Sequence, residues 1–428
     1  MKKNIQADFN LLGAAIASLF ALAPLSAAAQ DAGFGKPAGI PWGPVVAYPE
    51  GTVTIKRNDN IYSQPNGPGE KSATITVLAP SLKLEAKDGP HVYDVTARVE
   101  DGRYSSYSSA DYTDYGLTGN AQWVFSGRSG LKLMAQYLKG HDDQGSIPGV
   151  GRHTRPDKWH QSTFAGVAGY GAEGAQGRIE LDFGLINKEY DNFRRDGFGN
   201  PDNLKRDYDT TRVGATFYWR VMPKTQILFN ASRAEYDYSQ NSFTYVGGPS
   251  AGTLWTNLSS TEIKYQIGVT WEATAQTTGI FKIGNTEKNF WKSSLSSADY
   301  SEPSWEAAVK WSPLTYSNFD FMTAQRPGES SIGNASLDTL YGASWNHAWN
   351  SRLSSVVSYN YLKNEYQYNS GTAFQQTDKT DSYGLKLNYQ WTRVFKVGGF
   401  YEYTDKTSNN PGSEYKRNIY GIFLNAAI

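Results

Sequence analysis

Five histidines carry whatever acid–base or metal chemistry this chain could do: His91, His141, His153, His160 and His347. Three of them, His141, His153 and His160, fall in one polar stretch with Asp142, Asp143 and Asp157. A carboxylate beside an imidazole can orient a general base, and a few such groups together can hold a zinc ion. No spacing here matches a ligand motif, and solvent-exposed loops collect these residue types anyway. The sequence shows no phosphate-binding glycine loop, zinc motif or nucleophile elbow. The expectation is therefore no enzyme: no catalytic residue, no cofactor and no metal. The chain has 0 Cys, which excludes thiol chemistry, disulfides and a lipoprotein anchor. With 41 basic and 41 acidic residues, it offers no electrostatic footprint for nucleic acid.

A second set of charged residues recurs at every second position of apolar segments. The positions are Arg98, Arg178, Arg212, Arg220, Lys264, Lys282, Lys310, Lys386 and Lys396, with Glu180, Asp182, Glu272 and Asp320. Lys132, Asp94, Glu100, Glu306, Asp338 and Glu402 share the pattern. If these positions line a lumen, their signs nearly balance, whereas a strongly selective pore would show a ring of one sign. They then form either a polar wall cross-linked by ion pairs or a surface whose mixed charges and tyrosines suit a sugar.

The elements that would position them are strands. In 382–391, Tyr383, Leu385, Leu387, Tyr389 and Trp391 alternate with Ser382, Gly384, Lys386, Asn388 and Gln390. A strand sends successive side chains to opposite faces, so one face is apolar and the other wet. Ile263, Tyr265, Ile267, Val269 and Trp271 likewise oppose Lys264, Gln266, Gly268, Thr270 and Glu272. About 18 such segments, with 16 as the lower count, begin near Thr52, Thr74, Val92, Asp114, Leu131, His160, Arg178, Thr210, Thr225, Glu262, Gly279, Trp305, Ser317, Leu337, Leu353, Ser382, Val394 and Arg417. Pro80 interrupts 75–84 and the apolar parity flips after it, so a bulge is expected there. Residues 159–171 are rich in Gly and Ala and read as a weak strand.

Connections alternate too. Short turns such as Lys87-Asp88-Gly89-Pro90 and Met222-Pro223-Lys224 are interleaved with long polar loops at 141–158, 191–205, 238–259, 285–304, 364–380 and 405–414. Trp123, Trp219, Trp271, Trp311, Trp349 and Trp391 lie where strands enter short turns, as an interfacial girdle requires. The pattern predicts an all-β chain: a transmembrane antiparallel up-and-down barrel in the bacterial outer membrane, with short periplasmic turns and long extracellular loops. Lipid and lipopolysaccharide of that membrane are its expected surroundings.

The ends fit this reading. Lys2 and Lys3, an apolar run at 11–25 and Ala27-Ala28-Ala29 make a signal peptide over 1–29, cut after Ala29. Residues 30–50 read as an irregular Pro/Gly-rich periplasmic lead-in, and 51–428 as the barrel. The last residue is Ile428, where such barrels commonly end in an aromatic.

One stretch carries a family likeness. Val309-Lys310-Trp311-Ser312-Pro313-Leu314-Thr315 leads through Phe319-Asp320-Phe321 to Arg326-Pro327-Gly328-Glu329-Ser330-Ser331, and then to Trp345-Asn346-His347-Ala348-Trp349. With Asn58-Asp59-Asn60-Ile61-Tyr62, it resembles a beta-barrel porin family associated with exopolysaccharide biosynthesis and export, of the exosortase-linked type. The resemblance implies a conduit for an extracellular polysaccharide, working with other export components. Two alternatives stay open: a general diffusion porin, constricted by the 238–259 loop, and a closed surface scaffold or adhesin.

Overall fold

A computed structural model describes residues 37–145, 153, 155–172, 174–195, 202–240, 242–246, 252–274, 276–291, 299–328, 335–367 and 376–428. The signal-peptide segment lies outside them. The strands are β1 (Ile40–Trp42), β2 (Val45–Asn58), β3 (Ala73–Asp88), β4 (His91–Tyr104), β5 (Tyr112–Ser126), β6 (Ser129–Asp142), β7 (Asp157–Tyr170), β8 (Gly177–Tyr190), β9 (Tyr208–Met222) and β10 (Thr225–Tyr238). They continue with β11 (Ser242–Val246), β12 (Gly252–Thr256), β13 (Ser260–Thr274), β14 (Thr277–Phe290), β15 (Tyr300–Leu314), β16 (Ser317–Gly328), β17 (Ala335–Ala348), β18 (Leu353–Gln367), β19 (Gln376–Gln390), β20 (Phe395–Ser408) and β21 (Tyr415–Ala427). Among the described residues, helix is limited to two short 3-10 turns, Ser108–Ala110 and Asn203–Arg206.

The main sheet has 19 strands. Setting aside the three-residue β1 leaves 18, each antiparallel to its sequence neighbour in the ring, and β2 pairs with β21 to close it. These 18 correspond one to one with the segments expected from alternation, the Gly/Ala-rich β7 included. Closure leaves no open edge, the condition for placing a sheet in lipid.

The lead-in differs from expectation. Residues 45–50 belong to β2, so the barrel begins at Val45, and Ile40–Trp42 folds back as β1 to pair with Val45–Ala47. β1 takes the edge of β2 that β21 leaves free, since the β21 ladder starts only at Glu50. Pro49 sits between the two ladders, where its missing N–H breaks no bond. Its carbonyl accepts the Ile428 N–H at 3.2 Å, so the last residue ties the seam.

Register decides facing, because residues paired across a ladder share a face. Tyr265 and Ile267 are 54% and 50% exposed on the outside, while Lys264 and Gln266 are 4% and 5% exposed inside. Trp219, Trp311, Trp349 and Trp391 are exposed outward at the short-turn end, the girdle position. Trp345, His347 and Trp349 of the family-like stretch belong to the same outer belt: the His347 and Trp349 rings meet at 4.4 Å.

The expected bulge at Pro80 is absent. The β2–β3 ladder runs unbroken with Gly51 opposite Pro80, and the β3–β4 ladder keeps its register across the proline. The parity flip is therefore real. Leu78, Pro80 and Leu82 face out, and Ile75 and Val77 face in, at 2% and 7% exposure. They can do so because the mouth is covered there. Ile61 of the 59–72 loop, Ala110 and Tyr112 are buried alongside, and the Tyr112 ring lies over Gly102, the partner of Val77.

Most barrel strands are longer than the apolar pattern. Fourteen residues, as in β14, rise roughly 35 Å at ordinary tilt, more than the about 25 Å apolar band. The ladders continue above the membrane into stretches that read as loop, such as 285–290 and 376–380. The 238–259 segment contains a separate hairpin, β11–β12, paired with no barrel strand.

Candidate functional site

The inner wall is built by the even-numbered or odd-numbered residues of each strand, fixed around the ring by register. Arg178 Nη1 is 3.4 Å from Glu180 Oε1, and its guanidinium lies 4.4 Å over the Tyr218 ring. Tyr218 donates its phenol to Glu180 at 3.0 Å. Arg212 pairs with Asp182. Glu306 takes Lys282 and, at 3.5 Å, Lys264. Lys310 stands directly across from Asp320, which accepts from Asn346 Nδ2 at 3.0 Å. Lys386 lies 4.7 Å over the Phe423 ring, and Lys396 faces Gln390 and Asn425. Arg98 is between Ser81 and Gly116. Arg220 and Glu272 mark the periplasmic rim, where their backbone N–H groups donate to the turn carbonyls of Gln176 and Lys224, both at 2.8 Å.

Sequence reasoning missed most of the upper wall. Glu262 faces Lys288, Arg326 faces Asp338, and Lys406 reaches Asp378 at 2.8 Å. Of these, Asp338 is among the alternating charges, whereas Lys288, Asp378 and Lys406 lie where polar composition reads as loop. The usable signal was parity: the even positions of β14 continue inward from Lys282 through Lys288.

Opposite charges thus stand across neighbouring strands on the wall. At ordinary salt such pairs contribute modestly unless desolvated, but they leave the wall without a dominant sign. Arg98, Glu100, Asn120, Lys386 and Glu402 point inward, away from the barrel rims, and are nevertheless exposed. Water therefore reaches the wall on the β4–β5 and β19–β20 side.

The histidines do not converge. His141 Nδ1 bonds Asp114 at 2.9 Å and its ring stacks on Tyr112 at 4.0 Å. His153 stands between Asp157 at 2.5 Å and Asp202 at 2.8 Å. His160 bonds Asp191 at 2.8 Å on the outer side. Among the described residues, no three His, Asp or Glu side chains gather as a metal site.

What they do is hold loops. Arg206, from the 191–207 loop, pairs with Asp142 at 2.7 Å and Asp157 at 3.3 Å, and its guanidinium lies 3.9 Å over the Tyr190 ring. Arg194 pairs with Asp207 at 2.8 Å. Burial pushes the Asp207 carboxyl up, with the Tyr190 N–H and Arg194 pulling against it. Burial also pushes Asp191 up, but hydrogen bonds from Lys139 and His160 outweigh it and hold this carboxyl below its usual range. The loop is latched over the extracellular ends of β6 to β9.

A closed 18-strand ring with an apolar exterior, aromatic girdle and polar interior defines an outer-membrane β-barrel of the porin-like class. The chain belongs to the family Putative beta-barrel porin 2, with residues 32–427 matched. Among solved structures it is similar to Pseudomonas aeruginosa OpdQ, at 13% identity over 90% of this chain and 98% of that chain, with a TM-score of 0.47. It is also similar to Pseudomonas aeruginosa OpdL, at 12% identity over 90% and 98%, TM-score 0.46. A third is the siderophore receptor PirA from Acinetobacter baumannii, at 8% identity over 89% and 80%, TM-score 0.44. No curated protein matches the sequence.

Proposed function

We propose that this protein is a passive outer-membrane conduit through which an extracellular polysaccharide leaves the cell, working beside other export components after cleavage of its signal peptide. The observation that carries the conduit is the set of exposed inward side chains, Arg98, Glu100, Asn120, Lys386 and Glu402, since a packed interior would bury them. Polysaccharide as cargo is supported by the family likeness of 309–349 and by the serine, asparagine and threonine content of the inner faces of β17 to β19. A general diffusion porin is the second reading, favoured by the balanced signs of the wall.

The test is single-channel conductance of the refolded mature chain in a planar bilayer, with and without oligosaccharides. Steady conductance that glycans block supports the export conduit. Conductance indifferent to glycans supports the diffusion porin. Folded protein without conductance overturns both in favour of a closed scaffold.

A further inference from the structure

We infer that Phe400 and Phe423 form a stacking platform on the lumen wall for the pyranose rings of a glycan. This rests on the conduit reading above and names the contact its cargo makes. The two residues break the rule that places the apolar side chains of this barrel in lipid. Phe164, Phe229 and Phe321 obey it, facing out at 42%, 50% and 45% exposure. Phe400 and Phe423 face in. Phe400 stands in one row with Lys386, Gly421 and Lys56, and Phe423 in the next with Asn388, Gly398 and Thr54. On the same stretch of β21, Ile422 and Leu424 face out at 65% and 41% exposure, so the pair lies at membrane depth. The two are diagonal neighbours on adjacent strands, roughly 7–8 Å apart.

Their surroundings leave them open to lumen water. Lys386, directly across from Phe400, and Glu402, the next inward residue on β20, are both exposed. Gly421, across from Phe400 on the other side, has no side chain to cover it. The Phe423 ring lies over Gly398, where a Cβ would collide with it, and the Lys386 ammonium is 4.7 Å from its centre. Both rings keep part of their surface exposed. Inward tyrosines elsewhere serve the wall: Tyr190 and Tyr218 are 2% and 8% exposed and donate to Asp142 and Glu180, each at 3.0 Å. A phenylalanine has no hydroxyl to donate, and leaving its ring in water costs about 25 cal/mol per Å². Neither lipid nor the polar network of the wall accounts for this pair.

An occupant that fits has an apolar face and a polar edge. The C–H bonds on one face of a pyranose carry partial positive charge and meet the negative face of an aromatic ring. Its hydroxyls point outward from the rim, and each both donates and accepts. Beside the two rings, Lys386 offers donors and Glu402 offers acceptors to that rim. A polyether chain of the same girth has no such face and no such hydroxyls.

The test records current-block dwell times of dextran oligosaccharides, and of polyethylene glycol of equal hydrodynamic radius, on the refolded mature chain and on its Phe400→Leu and Phe423→Leu variants. Leucine keeps an apolar side chain and removes the ring face. Dextran blocks should outlast polyethylene glycol blocks in the wild type. Each leucine variant should shorten dextran dwell about fivefold, the scale of one lost ring contact, with open-channel conductance and polyethylene glycol dwell unchanged. Phe400→Tyr and Phe423→Tyr keep the ring and should keep the dwell. Phe400→Met or Phe423→Met replaces a leucine variant that fails to refold. Wild-type dextran dwell in the leucine variants overturns the platform and leaves the polysaccharide reading standing. Equal dwell of the two polymers in the wild type, or tyrosine variants as short in dwell as leucine ones, overturns it too. Absence of block by any glycan removes the polysaccharide reading with it.

Discussion

Lys282 and Glu306 face one another across the β14–β15 ladder on the inner wall, and the same carboxylate takes the ammonium of Lys264 from β13. One carboxylate thus holds two largely buried lysines. Glu306→Gln should leave both without their anion. The expected loss is about 3 kcal/mol, as for breaking a buried pair, with a shift of the channel toward anion selectivity. Urea unfolding in vesicles and reversal potential in a salt gradient read the two effects.

The latch at the mouth makes a second prediction. Arg206 joins Asp142, Asp157 and the Tyr190 ring, so Arg206→Ala removes two ion pairs and a cation–π contact together. The 191–207 loop should gain protease sensitivity and hydrogen exchange, with local stability falling by about 2 kcal/mol, while the ladders below keep their protection.

Acid should release the outer side of that loop. Asp191 has its carboxyl held below the usual range by Lys139 and His160 acting against burial. A depressed folded pKa contributes stability that is complete above the unfolded value, near 3.8, and is lost as pH falls through the folded value. Hydrogen exchange around 190–192 should therefore be steady from neutral pH down to about 4 and rise below it. In Asp191→Asn that acid-induced rise should be missing.

Neighbouring residues on β13 should respond in opposite ways to the same substitution. Ile267→Lys puts a charge in lipid and should cost about 2–4 kcal/mol near the bilayer midplane. Thr270→Lys puts it toward lumen water and should cost far less while altering conductance. Equal losses in vesicle refolding would mean that the two faces have been misassigned.

Most of the architecture was legible because lipid imposes a two-residue period. Wherever one face must be apolar and the other wet, strand, facing and turn follow from the sequence, as in Tyr265, Gln266 and Ile267. Legibility ended where that requirement ended. Above the membrane both faces of a strand are polar, so Lys288, Asp378 and Lys406 looked like loop although they continue the wall. At Pro80 the inference of a bulge assumed that apolar residues must face lipid, and Ile75 and Val77 instead pack beneath the loops of the mouth.

The sequence by itself determined the all-β barrel class, a count of about 18 strands, the side on which the loops lie and the set of charges that alternate with apolar residues. It could not determine which charge meets which, because partners such as Lys264 and Glu306 lie 42 residues apart and are joined only by the register of two ladders. Nor could it show that the histidines hold separate loops instead of one site, or that β1 and Ile428 finish the seam. Side-chain period is a local property of one strand, imposed by solvent on either face. Pairing and closure arise only when distant strands are brought into register.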